Sequence, residues 1–151
     1  MRRWLLVIDI GPLLPEDRAM WEELARDYKR FYRTEEPDDA YEATWRRLQE
    51  GTELFGAGAR IDGRLIGITH YHFHVTFWAA DSCYLQDLFV AEEARGHGAA
   101  QALIGHVAAA ARARGASCLY WLTQEDNARA RALYDRVARF EGFIRYDCPL
   151  A

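Results

Sequence analysis

The chain is short of the residues that would place it in several common classes. Cysteine is scarce: Cys83, Cys118 and Cys148 are odd in number, far apart, and set in no pair with metal-ligand spacing. That excludes a disulfide scaffold and a cysteine zinc site, and it fits reduced, mostly buried thiols in a cytoplasmic protein. No apolar run is long enough to cross a bilayer. The opening stretch from Arg2 to Ile10 stops at Gly11-Pro12 and reads as neither signal peptide nor anchor. Excess positive charge is also missing. The formal net charge is −4 and the isoelectric point is near 5.7, which argues against a nucleic-acid backbone as partner. Two phosphate-binding signatures are absent as well. A P-loop needs Lys followed by Ser or Thr, and no such pair occurs. A dinucleotide fingerprint needs G-x-G-x-x-G, but Gly96-His97-Gly98 continues as Ala99-Ala100-Gln101.

What is present suffices for one domain over residues 1–151, since half the residues are hydrophobic. The chain is organised around Tyr84 to His106. Tyr84–Val90 is rich in aromatic and aliphatic residues and predicts a strand. A short acidic turn leads to Arg95-Gly96-His97-Gly98-Ala99-Ala100. A helix follows with Leu103, Ile104 and Val107 on one face, closing at Gly115. Strand, glycine-rich turn and helix make an anion cradle: small residues admit the ligand close to the backbone, and the N–H groups at the helix start point at it.

In chain order, Trp4–Ile10 predicts a first strand. Pro15-Glu16-Asp17 opens a helix that reaches about Tyr32, with Trp21, Leu24, Tyr28 and Phe31 at helical spacing. Asp38 or Asp39 caps a second helix carrying Tyr41, Trp45 and Leu48 and ending at Gly51. The loop acids Glu35, Glu36, Asp38 and Asp39 either form a solvated loop or draw in a cationic substrate. Strands Leu54–Ile61 and Leu65–Trp78 flank Asp62-Gly63, a hairpin turn. Alternation on the second strand puts His70, His72 and His74 on one face. The first and third lie about 13 Å apart along a flat strand, too far to share one ion, so no metal site is expected. They are ordinary hydrogen-bonded histidines or the polar wall of a cleft. Ser117–Thr123 predicts a strand covered on both faces and parallel to Tyr84–Val90. A last helix, Ala128 to about Phe140, carries Ala130, Leu133, Tyr134 and Val137 on one side, and Phe143–Cys148 predicts a final strand.

The pattern Arg95-x-x-Gly98-x-Ala100 resembles the pyrophosphate loop of the GNAT superfamily of N-acetyltransferases. The likeness continues through Asn127, Tyr134 and Gly142-Phe143, and covers roughly residues 66 to 147. The strand Tyr84-Leu85-x-Asp87-x-Phe89-Val90 is similar to the diamine and thialysine acetyltransferases of that superfamily. The resemblance implies the GNAT α/β (α+β) fold, a mixed sheet of about six to seven strands with about four helices. It implies acetyl-CoA as acetyl donor, and a primary amine as acceptor, cationic in character, on a small molecule or a peptide. Members of the superfamily often finish with two strands and here there is room for one, which leaves the far sheet edge exposed or completed by a second subunit, so a homodimer is also expected. The backbone of Leu88, Phe89 and Val90 would run beside the pantetheine arm. Arg95, Gly96, His97, Gly98, Ala99, Ala100 and Gln101 would hold the pyrophosphate, with Asn127, Ala130, Tyr134 and Arg136 lining the cofactor.

Acetyl transfer to an amine needs a held thioester, a polarised carbonyl and a deprotonated amine. A backbone N–H of Leu88–Val90 could polarise the carbonyl. Keeping a lysine-like amine neutral at pH 7 costs about 4.6 kcal/mol. The diamine-type relatives carry Glu at the position matching Gln86, and an amide cannot take a proton. Asp87 should point to the opposite face unless a bulge rotates the strand. The histidine face, Glu125 and Asp126 are the other candidate bases, acting directly or through water. By the resemblance, Tyr134 assists the leaving thiolate; on its apolar stripe alone it would be a core aromatic. With Gln86 in place of an acid, a catalytically silent coenzyme A-binding regulatory or interaction domain is the alternative.

Overall fold

The computed structural model describes residues 6–151, which divide into two compact units, one running to Trp121 and one from Leu122 to Ala151. In the first unit, β1 (Ile8–Pro12), β2 (Phe55–Ile61), β3 (Arg64–His74), β4 (Ser82–Val90) and β5 (Cys118–Tyr120) form one sheet in chain order. β1 to β4 pair antiparallel; β4 and β5 pair parallel through the connecting helix α3 (Ala99–Ala113). The mixed sheet and the helices α1 (Arg18–Phe31), α2 (Asp38–Glu50), α3 and α4 (Ala128–Val137) are the expected class of fold. The sheet has five strands among the described residues, against six or seven expected.

β1 begins at Ile8 and runs through Gly11-Pro12, which the sequence suggested as its end; Trp4 lies outside the described residues. Proline lacks a donor, and the sheet edge tolerates it there, where Pro12 stands opposite Ala57. Pro15–Asp17 forms a 3₁₀ turn before α1, and the Asp17 carboxylate accepts from the Leu14 N–H at 2.7 Å. α1 then buries Trp21, Leu24 and Ala25, while Phe31, at the end of the expected stripe, is exposed. α2 buries Tyr41, Trp45 and Leu48 as expected, but its N-cap is Pro37 and no side chain caps it. Asp38 instead sits in the first turn, where a carboxylate suits the helix dipole, and pairs with Arg26 at 2.7 Å.

β3 stops at His74, four residues early, because Val75, Phe77 and Trp78 are solvent-facing and Thr76 folds the chain into a turn by bonding Ala79 and Ala80. Side chains of β3 alternate between helices. His70 meets Trp21 of α1, whereas Phe73 lies under Arg114, just beyond α3, at 4.3 Å. The core between these elements includes Trp21, Leu65, Ile68 and Leu103, each at most 4% exposed. At about 25 cal/mol per Å² of apolar burial, such side chains contribute roughly 1.5–3 kcal/mol each.

β5 pairs with β4 over three residues only, Ser82 to Tyr84 against Cys118 to Tyr120. Burial on both faces was expected for this strand, yet Cys118 and Tyr120 are exposed; Tyr120 stacks on Tyr84 and meets His74 Nε2 at 2.9 Å. In the second unit α4 ends at Val137. Its expected stripe, Ala130, Leu133, Tyr134 and Val137, is half-buried together with Arg131, and the other positions face solvent more fully. No strand forms over 143–148. Alternation there supplies a pattern, but a strand exists only with a ladder partner to bond.

Candidate active site

Two features of β4 build the site. The first is a register break against β3: His70 stands opposite Asp87 and Tyr71 opposite Leu85, so Gln86 is one extra residue on β4. A bulge of this kind is what Asp87 needed to leave the face that strict alternation assigns it. Both side chains now line the same cavity, with Gln86 exposed and Asp87 mostly buried. Thr69, itself fully buried, donates its hydroxyl to the Asp87 carbonyl oxygen at 2.8 Å and pins the backbone just past the bulge.

The cavity holds about 350 Å³ and lies among α1, α2, β3 and β4. Its polar floor is a hydrogen-bonded chain. Trp21 Nε1–H donates to His70 Nε2 at 2.8 Å, and His70 Nδ1 lies 2.8 Å from an Asp87 carboxylate oxygen. An indole is a donor only, so Nε2 is the unprotonated nitrogen and Nδ1–H donates to Asp87. Burial opposes the charge on Asp87, but hydrogen bonds from His70 and Tyr28 and the nearby Lys29 ammonium outweigh it and hold the carboxyl below the ordinary range. Burial, then the Asp87 charge, push the Tyr28 phenol far above its ordinary range, so it remains a donor. Asp87 is therefore an oriented anion facing the cavity. His72, two residues along β3, also lines it, with its ring edge-on to Tyr84 at 5.5 Å.

The three histidines keep the shared face read from the sequence, but each has its own partners: Trp21 and Asp87 for His70, Tyr84 for His72, Tyr120 and the Val75 carbonyl for His74. Among the described residues no three His, Cys, Asp or Glu side chains are grouped to hold a metal. The loop acids are partly neutralised by their own neighbours. Glu36 faces the cavity but pairs with Lys29 at 3.3 Å, and Asp38 is tied to Arg26.

The second feature is an open edge. β5 leaves β4 after Tyr84, so Leu85–Val90 has no strand neighbour on that side among the described residues. In an antiparallel ladder alternate residues turn their N–H and C=O away from the partner strand, and an unpaired row of this kind is a template for an extended amide chain. The edge of Leu88, Phe89 and Val90 leads into the loop. There Arg95 donates Nε–H to the Val90 carbonyl at 3.0 Å and lays its guanidinium over Phe89 at 5.5 Å. His97 Nδ1 meets the Ala94 carbonyl at 3.2 Å. Arg95 and His97 thus brace the loop to its own backbone.

Gly96 and Gly98 adopt φ of +83° and +86°, a region that only glycine enters cheaply, and the space where a side chain would stand is open. Gly98 is the N-cap of the fifteen-residue α3, so the N–H groups of Ala99, Ala100 and Gln101 have no partner within the helix. An open glycine turn over a helix N-terminus, continuous with a free amide edge, fits a pyrophosphate joined to a pantetheine arm.

The remaining expected residues belong to the second unit. Asn127 is the N-cap of α4 and donates through Nδ2 to Thr123 Oγ1 at 3.1 Å. Ala130 and Tyr134 share the half-buried stripe, and Arg136 donates back to the Ala132 carbonyl at 3.0 Å. Sequence reasoning missed Trp21, Tyr28 and Lys29 as cavity residues, whereas Glu36 was among the loop acids it singled out. Trp21 and Tyr28 were visible only as an apolar helix stripe, and nothing in that spacing announces a bond to a histidine 49 residues away.

The acetyltransferase (GNAT) family matches residues 18–140 of this chain. The D-amino-acid N-acetyltransferase HPA3 of Saccharomyces cerevisiae is 36% identical over 135 residues, covering 87% of this chain and 84% of the yeast protein. The ribosomal-protein-alanine N-acetyltransferase of Brucella melitensis biovar Abortus has a similar structure, with a TM-score of 0.76 at 25% identity over 95% of this chain and 100% of that one. The aminoglycoside N-acetyltransferase AAC(6')-Iy, solved with coenzyme A, shares the fold with a TM-score of 0.76 at 21% identity, over 94% of this chain and 96% of that one. The chain belongs to the GNAT family of acetyltransferases and is an N-acetyltransferase that takes its acetyl group from acetyl-CoA.

Proposed function

We propose that this enzyme acetylates the primary amine of a small, amino-acid-like molecule seated in the α1–β4 cavity. The observation that carries the reading is Asp87, an oriented carboxylate brought to the cavity by the bulge at Gln86. The acid that diamine-type relatives carry at the position of Gln86 is supplied one residue later. Two carboxylates, Glu36 and Asp87, and two cations, Lys29 and Arg47, line the cavity. This balance suits a zwitterion better than a polyamine, and the yeast relative is named for amino acids. A cationic diamine, in keeping with the thialysine and diamine resemblance, is the second reading and rests on Glu36 and Asp87 alone.

Acetyl-CoA supplies the acetyl group as a thioester. Leu88, Phe89 and Val90 hold its arm along their free edge, with one N–H polarising the carbonyl. The turn from Arg95 to Gln101 holds the pyrophosphate, and Asn127, Ala130 and Arg136 take the cofactor-lining roles that the resemblance gives them. Asp87 attracts and orients the acceptor ammonium, and Gln86 hydrogen-bonds it. Asp87 is a poor base for that proton: transfer from an amine of pKa about 10.4 to an ordinary carboxylate near 3.9 is uphill by about 9 kcal/mol, and the lowered pKa of Asp87 makes it worse. His70 is no better, since its free lone pair is occupied by Trp21. The proton goes instead to His72 or through water beside it. Tyr134 returns a proton to the departing thiolate. In this reading residues 1–151 act as one domain, in the cytoplasm and as a homodimer, which the one-sided edge at β5 and the three free thiols support.

Thiol release from acetyl-CoA, measured against amino acids of both hands, diamines, polyamines and lysine peptides, tests the reading. Amino acids should give the highest kcat/KM. Turnover confined to polyamines would transfer the assignment to the diamine type, and turnover confined to peptides would remove the small-molecule acceptor altogether.

A further inference from the structure

We infer that Lys29 is a specificity residue: its ammonium binds the carboxylate of the acceptor, opposite the amine that Asp87 holds. Lys29 is the single lysine of the chain; every other fixed cationic side chain is an arginine. It stands on α1 immediately after Tyr28, the residue that donates to Asp87, and it lines the same cavity. The ammonium already carries a carboxylate. Glu36 Oε1 lies 3.3 Å from Nζ, and both groups are partly exposed, at 32% and 43% of their side-chain surface.

Glu36 marks where an acceptor carboxylate would sit, and it comes from a loop, which can yield more easily than a strand. The pair is long and partly solvated, so exchanging Glu36 for a ligand carboxylate costs little. The second cavity cation is less suited to the task, because Arg47 is bound to Glu53 at 3.1 Å and is nearly half exposed. A cavity with Asp87 as anion and Lys29 as cation matches a free amino acid, and it gives no credit to an amine that has lost its carboxyl group.

This inference rests on the proposed small-amine acceptor, and the two can fail separately. The quantity to measure is the ratio of kcat/KM for an amino acid to that for the amine left when its carboxyl group is removed. Leucine, methionine and phenylalanine, in both enantiomers, serve as the amino acids. The wild-type ratio should exceed one. Lys29→Met should lower it about thirtyfold, the scale of one lost charged hydrogen bond. Lys29→Arg should keep it within a few-fold. Glu36→Gln, which removes the competing carboxylate, should raise it by lowering KM for the amino acid. A Lys29→Met enzyme with the wild-type ratio would overturn the role of Lys29, as would a wild-type ratio below one. If the wild type acetylates neither member of any pair, the small-amine reading falls first and takes this inference with it.

Discussion

Asp87 collects more of the site than any other side chain, and the reason is electrostatic. A carboxylate this buried would ordinarily be pushed toward its neutral form; His70 and Tyr28 donate to it, and Lys29 lies near enough to favour the charge. Because its folded pKa is depressed, the stabilisation it brings is complete above the unfolded value near 3.9 and disappears as pH falls through the folded one. Asp87→Asn should therefore cost about 1–3 kcal/mol at pH 7, while the gap from wild type closes as pH falls through the lowered pKa of Asp87. Thermal melts of both proteins at pH 7 and at an acid pH well below the ordinary carboxylate range check this. An equal gap at both values would mean that the carboxylate contributes packing rather than charge. The same substitution should lower kcat/KM on any amine by about a hundredfold, since an uncharged amide orients an ammonium poorly.

At the scale of elements, the join of β4 to α3 does what a local motif can do alone. Its glycines, its short 3₁₀ turn at Glu92–Ala94 and the helix start are contiguous, so the sequence displays the whole device. Gly98→Glu sets a bulky anion in the turn proposed to hold the pyrophosphate. The protein leaves room for that side chain, but φ of +86° strains any residue other than glycine. Calorimetry should show acetyl-CoA binding weakened at least tenfold with circular dichroism unchanged, and a folded variant that binds like wild type would move the phosphate site elsewhere. The acceptor side was far less legible. It depends on a bulge that no glycine or proline marks, since a one-residue slip is decided by which cross-strand partners fit. It depends also on Trp21 meeting His70, a contact made by packing α1 on β3. The final strand failed for a related reason: Phe143 to Cys148 has the right alternation, and alternation does not supply a partner.

Over the whole molecule, the three thiols offer a count of what is closed. Cys83 is fully buried, and desolvation pushes its pKa up to about 11, whereas Cys118 and Cys148 are exposed. The native enzyme should titrate two thiols quickly with a disulfide reagent at pH 8. The third should react only at the rate of global opening, and three fast thiols would show that the sheet centre is not closed. That centre carries one further consequence. Deleting a residue from an interior strand normally turns every later side chain to the wrong face, which is why such strands resist insertions and deletions. Gln86 is an exception, because β4 already holds one residue more than its partner there. Loss of Gln86 would let Asp87 follow Leu85 in an unbroken ladder, with Asp87 still opposite His70 and with Leu88, Phe89 and Val90 keeping their present faces. In evolutionary terms, β4 can change length by one at this point while Asp87 keeps its place opposite His70.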